Sequence, residues 1–123
     1  MYELLLWLYI INSVLLINHE IDSAYWHEWE LFKLPGGITG FLIIHFPLLF
    51  LLMYGLIEIH KKTFAGIIFS LVVGAVGIFA FFIHTYFIKK GRPEFNTPIS
   101  LFILYATMAV SLIQLAAAGY MLL

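Results

Sequence analysis

Ile-Thr-Gly-Phe-Leu-Ile-Ile-His-Phe-Pro-Leu-Leu-Phe-Leu-Leu-Met-Tyr-Gly-Leu-Ile, residues 38–57, runs without an Asp, Glu, Lys or Arg. As a helix rising 1.5 Å per residue it reaches about 30 Å, the thickness of the hydrocarbon core of a bilayer. Its one imidazole is His45, and Pro47 inside it predicts a kink. Three further segments read the same way. The pattern predicts helices over about 4–18, 37–59, 64–88 and 98–123, the first continuing into a polar segment at 19–33. The first segment is read as a retained helix, because no basic region precedes it and no small-x-small cleavage pattern precedes His19. The expected architecture is an all-α integral membrane four-helix bundle, one transmembrane domain over residues 1–123, with a polar interfacial helical segment after the first crossing.

Composition agrees with this reading. Of the 123 residues 63% are hydrophobic, 18% aromatic and 11% charged, whereas a soluble domain is about 45–50% apolar and about 25% charged. With no cysteine, disulfides, thiolate metal sites and thiol catalysis are excluded. A net charge of -1 provides no electrostatic basis for binding nucleic acid.

Short connections force antiparallel neighbours and divide the chain between two membrane faces. The turn at Glu58-Ile59-His60-Lys61-Lys62 and both termini lie on one face, side B. Residues 19–36 and the loop from Lys89 to Pro98 lie on the other, side A, where Asn96 or Thr97 ahead of Pro98 forms a helix start. Lys33, Lys89, Lys90 and Arg92 outnumber Lys61, Lys62 and the terminal amine, so the positive-inside rule assigns side A to the cytoplasm and the termini to the non-cytoplasmic face. Small residues Gly66, Ser70, Gly74 and Gly77 in the third helix, and a run of alanines in the fourth, mark faces for close helix packing. Asn12 and Gln114 are expected to form hydrogen bonds between helices, and Glu58 to pair with Lys62 one turn on.

Polar chemistry concentrates on side A. Residues 18–33, Asn-His-Glu-Ile-Asp-Ser-Ala-Tyr-Trp-His-Glu-Trp-Glu-Leu-Phe-Lys, hold two histidines and four of the chain's seven acidic residues, Glu20, Asp22, Glu28 and Glu30. On a continuous helix, His19, Asp22, Ser23, Trp26 and Glu30 share a face, with His27 at its margin. Such a segment can simply lie along the interface, anchored by Trp26 and Trp29. His45 and His84, however, sit about 10 Å and about 7.5 Å inside the same face by helical rise, within apolar spans. An ionisable residue there is a functional-site hypothesis by default.

Imidazoles and carboxylates without thiolates form the ligand sets of zinc, non-haem iron and manganese. The candidate metal ligands are His19, Asp22, His27, Glu30, His45 and His84, with Glu20 or Glu28 as general base for water activation. The His-Glu-x-x-His protease box fails twice, at Ser23 and at Leu31. Haem held by His45 and His84 is the less favoured cofactor, since carboxylates near the iron oppose it.

The stretch His27-Glu28-Trp29-Glu30-Leu31, followed by Pro35-Gly36-Gly37 and the His45 helix, resembles small uncharacterised integral membrane proteins with a His-x-x-Glu-Glu signature. The likeness spans residues 19–46, departs at Leu31 where the second Glu would stand, and implies a compact helical membrane protein with a polar site near the surface.

The residues leave three functions open. The first is a metal-dependent enzyme acting on a lipid or other apolar substrate. The second is a non-catalytic accessory subunit or packing module of a membrane complex, and the third is a bis-His haem protein. Expected partners are membrane lipid and a homo-oligomer or larger membrane complex, with no nucleic acid.

Overall fold

In the computed structural model, which describes residues 1–91 and 96–123, the apolar segments form four long helices. These are α1 (Tyr2–Tyr25), α3 (Gly37–His60), α4 (Phe64–Lys89) and α5 (Pro98–Met121), with one short turn of helix, α2 (Glu28–Leu31), between the first two. Each long helix is long and apolar enough to cross a membrane. The assignments of Arg92 and Glu94 to side A lie outside the described residues.

Local chemistry sets the ends of the helices. The Thr63 hydroxyl accepts from Gly66 N–H at 3.1 Å and caps α4, and Thr97 accepts from Ser100 N–H at 3.2 Å and caps α5, with Pro98 in the first turn. On side B the Thr63 hydroxyl also reaches Glu58 Oε2 at 2.8 Å. Glu58 pairs with Lys61 at 3.7 Å rather than with Lys62. The left-handed backbone of Lys62, φ 60°, ends the helical register that a one-turn pairing would need.

The bundle is rhombic in section. Helices α1 and α4 touch across the short diagonal, α5 packs against both, and α3 packs against both from the opposite flank. The small face of α4 lets α5 approach: a Cβ at Gly77 would run into the Ser111 hydroxyl and one at Gly74 into Leu115. A buried polar seam ties three helices together. Asn12 Nδ2 donates to Gln114 Oε1 at 2.8 Å and to Ser111 Oγ at 3.1 Å, and Gln114 Nε2 donates to Ser70 O and Oγ, each at 3.0 Å. With no water in the hydrocarbon core to satisfy them, these amides are held by each other.

Helix α3 is the least covered. Its buried residues, Gly55, Glu58 and Ile59, lie near its side B end, where the Tyr9 hydroxyl donates to Leu52 O at 2.6 Å. Leu42, Ile43, Phe46 and Phe50 are exposed on its outer face, as a lipid-facing helix requires.

Candidate metal centre on side A

The site begins where α1 ends. Residues 19–25 continue α1, but the helix stops at Trp26, whose Nε1 donates to Asp22 Oδ1 at 3.0 Å. His27 then takes a left-handed conformation, φ 55°. For a residue other than glycine this costs about 1–2 kcal/mol and persists only where surrounding contacts fix it. Those contacts come from α2 and the residue after it. Leu31 is buried, Phe32 packs edge-on against Phe87 at 5.6 Å and His84 at 6.4 Å, and Trp29 packs on Phe41 at 5.6 Å. The chain thus folds back over the end of the bundle and carries the Glu28 carboxylate to its interior.

There Glu28 meets His19 from α1 and His84 from α4. One ligand atom from each of the three lies within 4.8 Å of the others. The two imidazoles stand edge to face with centroids 4.4 Å apart, and His84 is 1% exposed. His84 Nδ1 is 2.8 Å from the Ala80 carbonyl, which can only accept, so this nitrogen carries the proton. The tautomer turns Nε2 toward the site, 3.5 Å from Glu28 Oε1. Anchoring one ring nitrogen on a backbone carbonyl is the support that metal-binding histidines characteristically have. Burial pushes the Glu28 carboxyl up. The neighbouring His84 and Ser23 side chains, with the charges of His84 and His19, outweigh that and hold it below the ordinary range. The surroundings therefore keep Glu28 ionised and attractive to a cation.

A second pair lies beside the trio. His45 Nδ1 is 2.6 Å from the Phe41 carbonyl and its Nε2 is 2.5 Å from Glu20 Oε2. Because Phe41 O only accepts, Nδ1 carries a proton, and the Nε2 to Oε2 contact holds a second proton shared between the residues. Glu20 and Glu28 line a common cavity under Trp29, Phe32 and Phe41.

Of the six residues expected as ligands, the structure brings His19 and His84 together. His45 stands with Glu20 instead. Asp22 accepts from Trp26, while His27 and Glu30, 3.7 Å apart, are more than half exposed on the outside. Of the face expected for His19, Asp22, Ser23, Trp26 and Glu30, the first four stay on α1 and its cap, while Glu30 is turned away because the left-handed backbone at His27 rotates everything after it. Glu28, expected as a base, lies within ligand distance. Both nitrogens of His45 are engaged, so it presents no axial imidazole to pair with His84 across a haem.

Fold and site define a small helical membrane protein with a His/Glu cluster near one end of its bundle. The chain belongs to the family of unknown function DUF6713, whose model matches residues 5–120. That match embraces far more than residues 19–46 and is to the family as a whole, not to a His-x-x-Glu-Glu signature. No curated protein and no solved structure matches the chain.

Proposed function

We propose that the protein is a metal-dependent integral membrane enzyme that binds one divalent transition metal, zinc in first place, through His19, Glu28 and His84, and acts on an apolar substrate taken from the bilayer. The observation that carries this reading is the convergence of three ligand atoms within 4.8 Å on buried or half-buried side chains, with His84 already fixed in the tautomer that offers Nε2. Two imidazoles and a glutamate form a donor set of catalytic zinc sites, where three protein ligands leave a position for water or substrate. Zinc bound there would supply Lewis acidity and a water acidified toward neutral pH. Glu28 then serves as ligand, and Glu20, sharing a proton with His45, is the group placed to take up and return protons in hydrolysis of an ester or amide. The excess of lysine and arginine on side A supports a cytoplasmic location for this site.

The test is the metal content of protein purified in mild detergent without chelator. About one equivalent of zinc, iron or manganese per chain is expected, replaceable by cobalt with a visible spectrum characteristic of His/carboxylate ligation. Glu28→Gln should lose it while keeping the far-UV circular dichroism of the wild type. If the wild type neither retains metal nor takes up zinc or cobalt stoichiometrically, the reading is wrong.

A further inference from the structure

Helices α1 and α3 are joined by side-chain hydrogen bonds at two levels, Tyr9 to Leu52 O near one end and Glu20 to His45 near the other. Between these levels, 11 residues apart on α1 and so about 16 Å along its axis, the helices stand apart and α4 forms the floor. The gap is a groove of about 240 Å³, walled by Leu16, Leu49, Leu52, Val73 and Val76 among others. Its rim is open: Leu48, Leu51, Val72 and Val76 are each about half exposed along it.

The groove is apolar along its length and polar at one end. Glu20, His45 and Leu48 line both it and the cavity under Trp29 and Phe32 that reaches Glu28. The two spaces therefore abut at the proton-sharing pair. Among the described residues, no lysine or arginine lines either space. Two carboxylates and no cation disfavour a phosphate or carboxylate head, whereas the carboxyl oxygens of Glu20 and Glu28 can accept from hydroxyl or amide groups.

We infer that this groove binds the hydrocarbon chain of a single-chain amphiphile with an uncharged, hydrogen-bonding head, of which a monoacylglycerol is the simplest representative. The chain enters sideways from the bilayer between α3 and α4 and lies along α1, and the head rests against Glu20 and His45 with its ester directed toward Glu28. Such a site, mostly apolar with a few convergent polar groups between helices, has the make-up of small-molecule pockets. The inference deepens the proposed function by naming the substrate class, but it stands on the groove and the Glu20–His45 pair, not on the metal.

The experiment is photo-crosslinking of the full chain in phosphatidylcholine vesicles with a monoacylglycerol bearing a diazirine in its acyl chain, adducts being mapped by peptide mass spectrometry. Adducts are expected on Leu16, Leu49 and Val73, suppressed by unlabelled monoacylglycerol but not by a lysophosphatidate of the same chain. Val76→Trp, and independently Leu49→Trp, should lower groove labelling about tenfold, the effect of shutting out about two buried methylene groups, while leaving metal content unchanged. Adducts spread over the outer face of α3, at Phe46 and Phe50, and indifferent to both tryptophans would overturn the groove. Equal suppression by the lysophosphatidate would overturn the uncharged head. Groove labelling in a protein that binds no metal would sustain this inference and refute the metal reading alone.

Discussion

His84 Nε2 lies 3.5 Å from Glu28 Oε1 while its other ring nitrogen is tied to the Ala80 carbonyl. With Nδ1 committed as the donor, Nε2 and the carboxylate face each other across either a proton or a cation. A separation of 3.5 Å is one that two ligands of a single tetrahedral ion, each about 2 Å from it, would span.

The trio and its neighbours should therefore separate cleanly by mutation. His19→Ala, Glu28→Gln and His84→Ala are each expected to weaken zinc binding by more than the roughly 10–100-fold typical of losing a supporting group. Asp22→Asn and Glu30→Gln should leave it within about threefold, a change of under 1 kcal/mol. Competition titration with a chromophoric zinc chelator reads both sets. Equal losses across the two sets would mean that the site extends to the exposed residues.

The left-handed turn at His27 makes a different prediction. His27→Gly relieves a conformational cost of about 1–2 kcal/mol and removes an exposed imidazole that stacks on Trp29 and faces Glu30 on the outside of the bundle, so zinc affinity should be retained. His27→Val keeps the backbone requirement with a β-branched side chain and should lower both thermal stability and zinc affinity. A His27→Gly variant that loses its metal would instead make His27 a ligand.

That turn also marks the limit of what the sequence discloses. The four spans were legible because each apolar segment is long enough to cross a bilayer, and Asn12 and Gln114 because an amide in such a segment needs a partner. His84 was legible as an ionisable residue inside a span, and His19 as a histidine where the first helix reaches the same face. Glu28 as a ligand was not. On a continuous helix it points 180° from His19, and no Gly or Pro between Tyr25 and Phe32 announces a break. The turn is stabilised by Trp29 packing on α3 and Phe32 on α4, contacts distant in sequence. One local sign was present: histidine is among the few residues other than glycine that take left-handed backbone with some frequency.

The polar seam offers a prediction independent of the site. In a double-mutant cycle, Asn12→Ala and Gln114→Ala should couple by about 0.6 kcal/mol and no more than about 1.7, the range for hydrogen bonds between membrane helices. Unfolding from mild detergent into SDS measures it. Zero coupling would mean that the seam is filled by shape alone.

Acid stability follows from Glu28 once metal has been stripped with chelator. Its carboxyl titrates lower in the folded protein than the ordinary value of 4.5, so the unfolded chain binds that proton more readily. The stabilisation is complete above about pH 4.5 and disappears as the pH falls through the lower folded value. Metal-free wild type should therefore lose stability on acidification below about pH 4.5, in steps that Glu28→Gln does not show in that window. Serine is the second contributor to hold this carboxylate down, so Ser23→Ala should move the wild-type loss toward higher pH without abolishing it. Both profiles are read as detergent unfolding midpoints against pH. If Glu28→Gln and the wild type run parallel from pH 6 to pH 3, Glu28 is not held ionised by His19, His84 and Ser23.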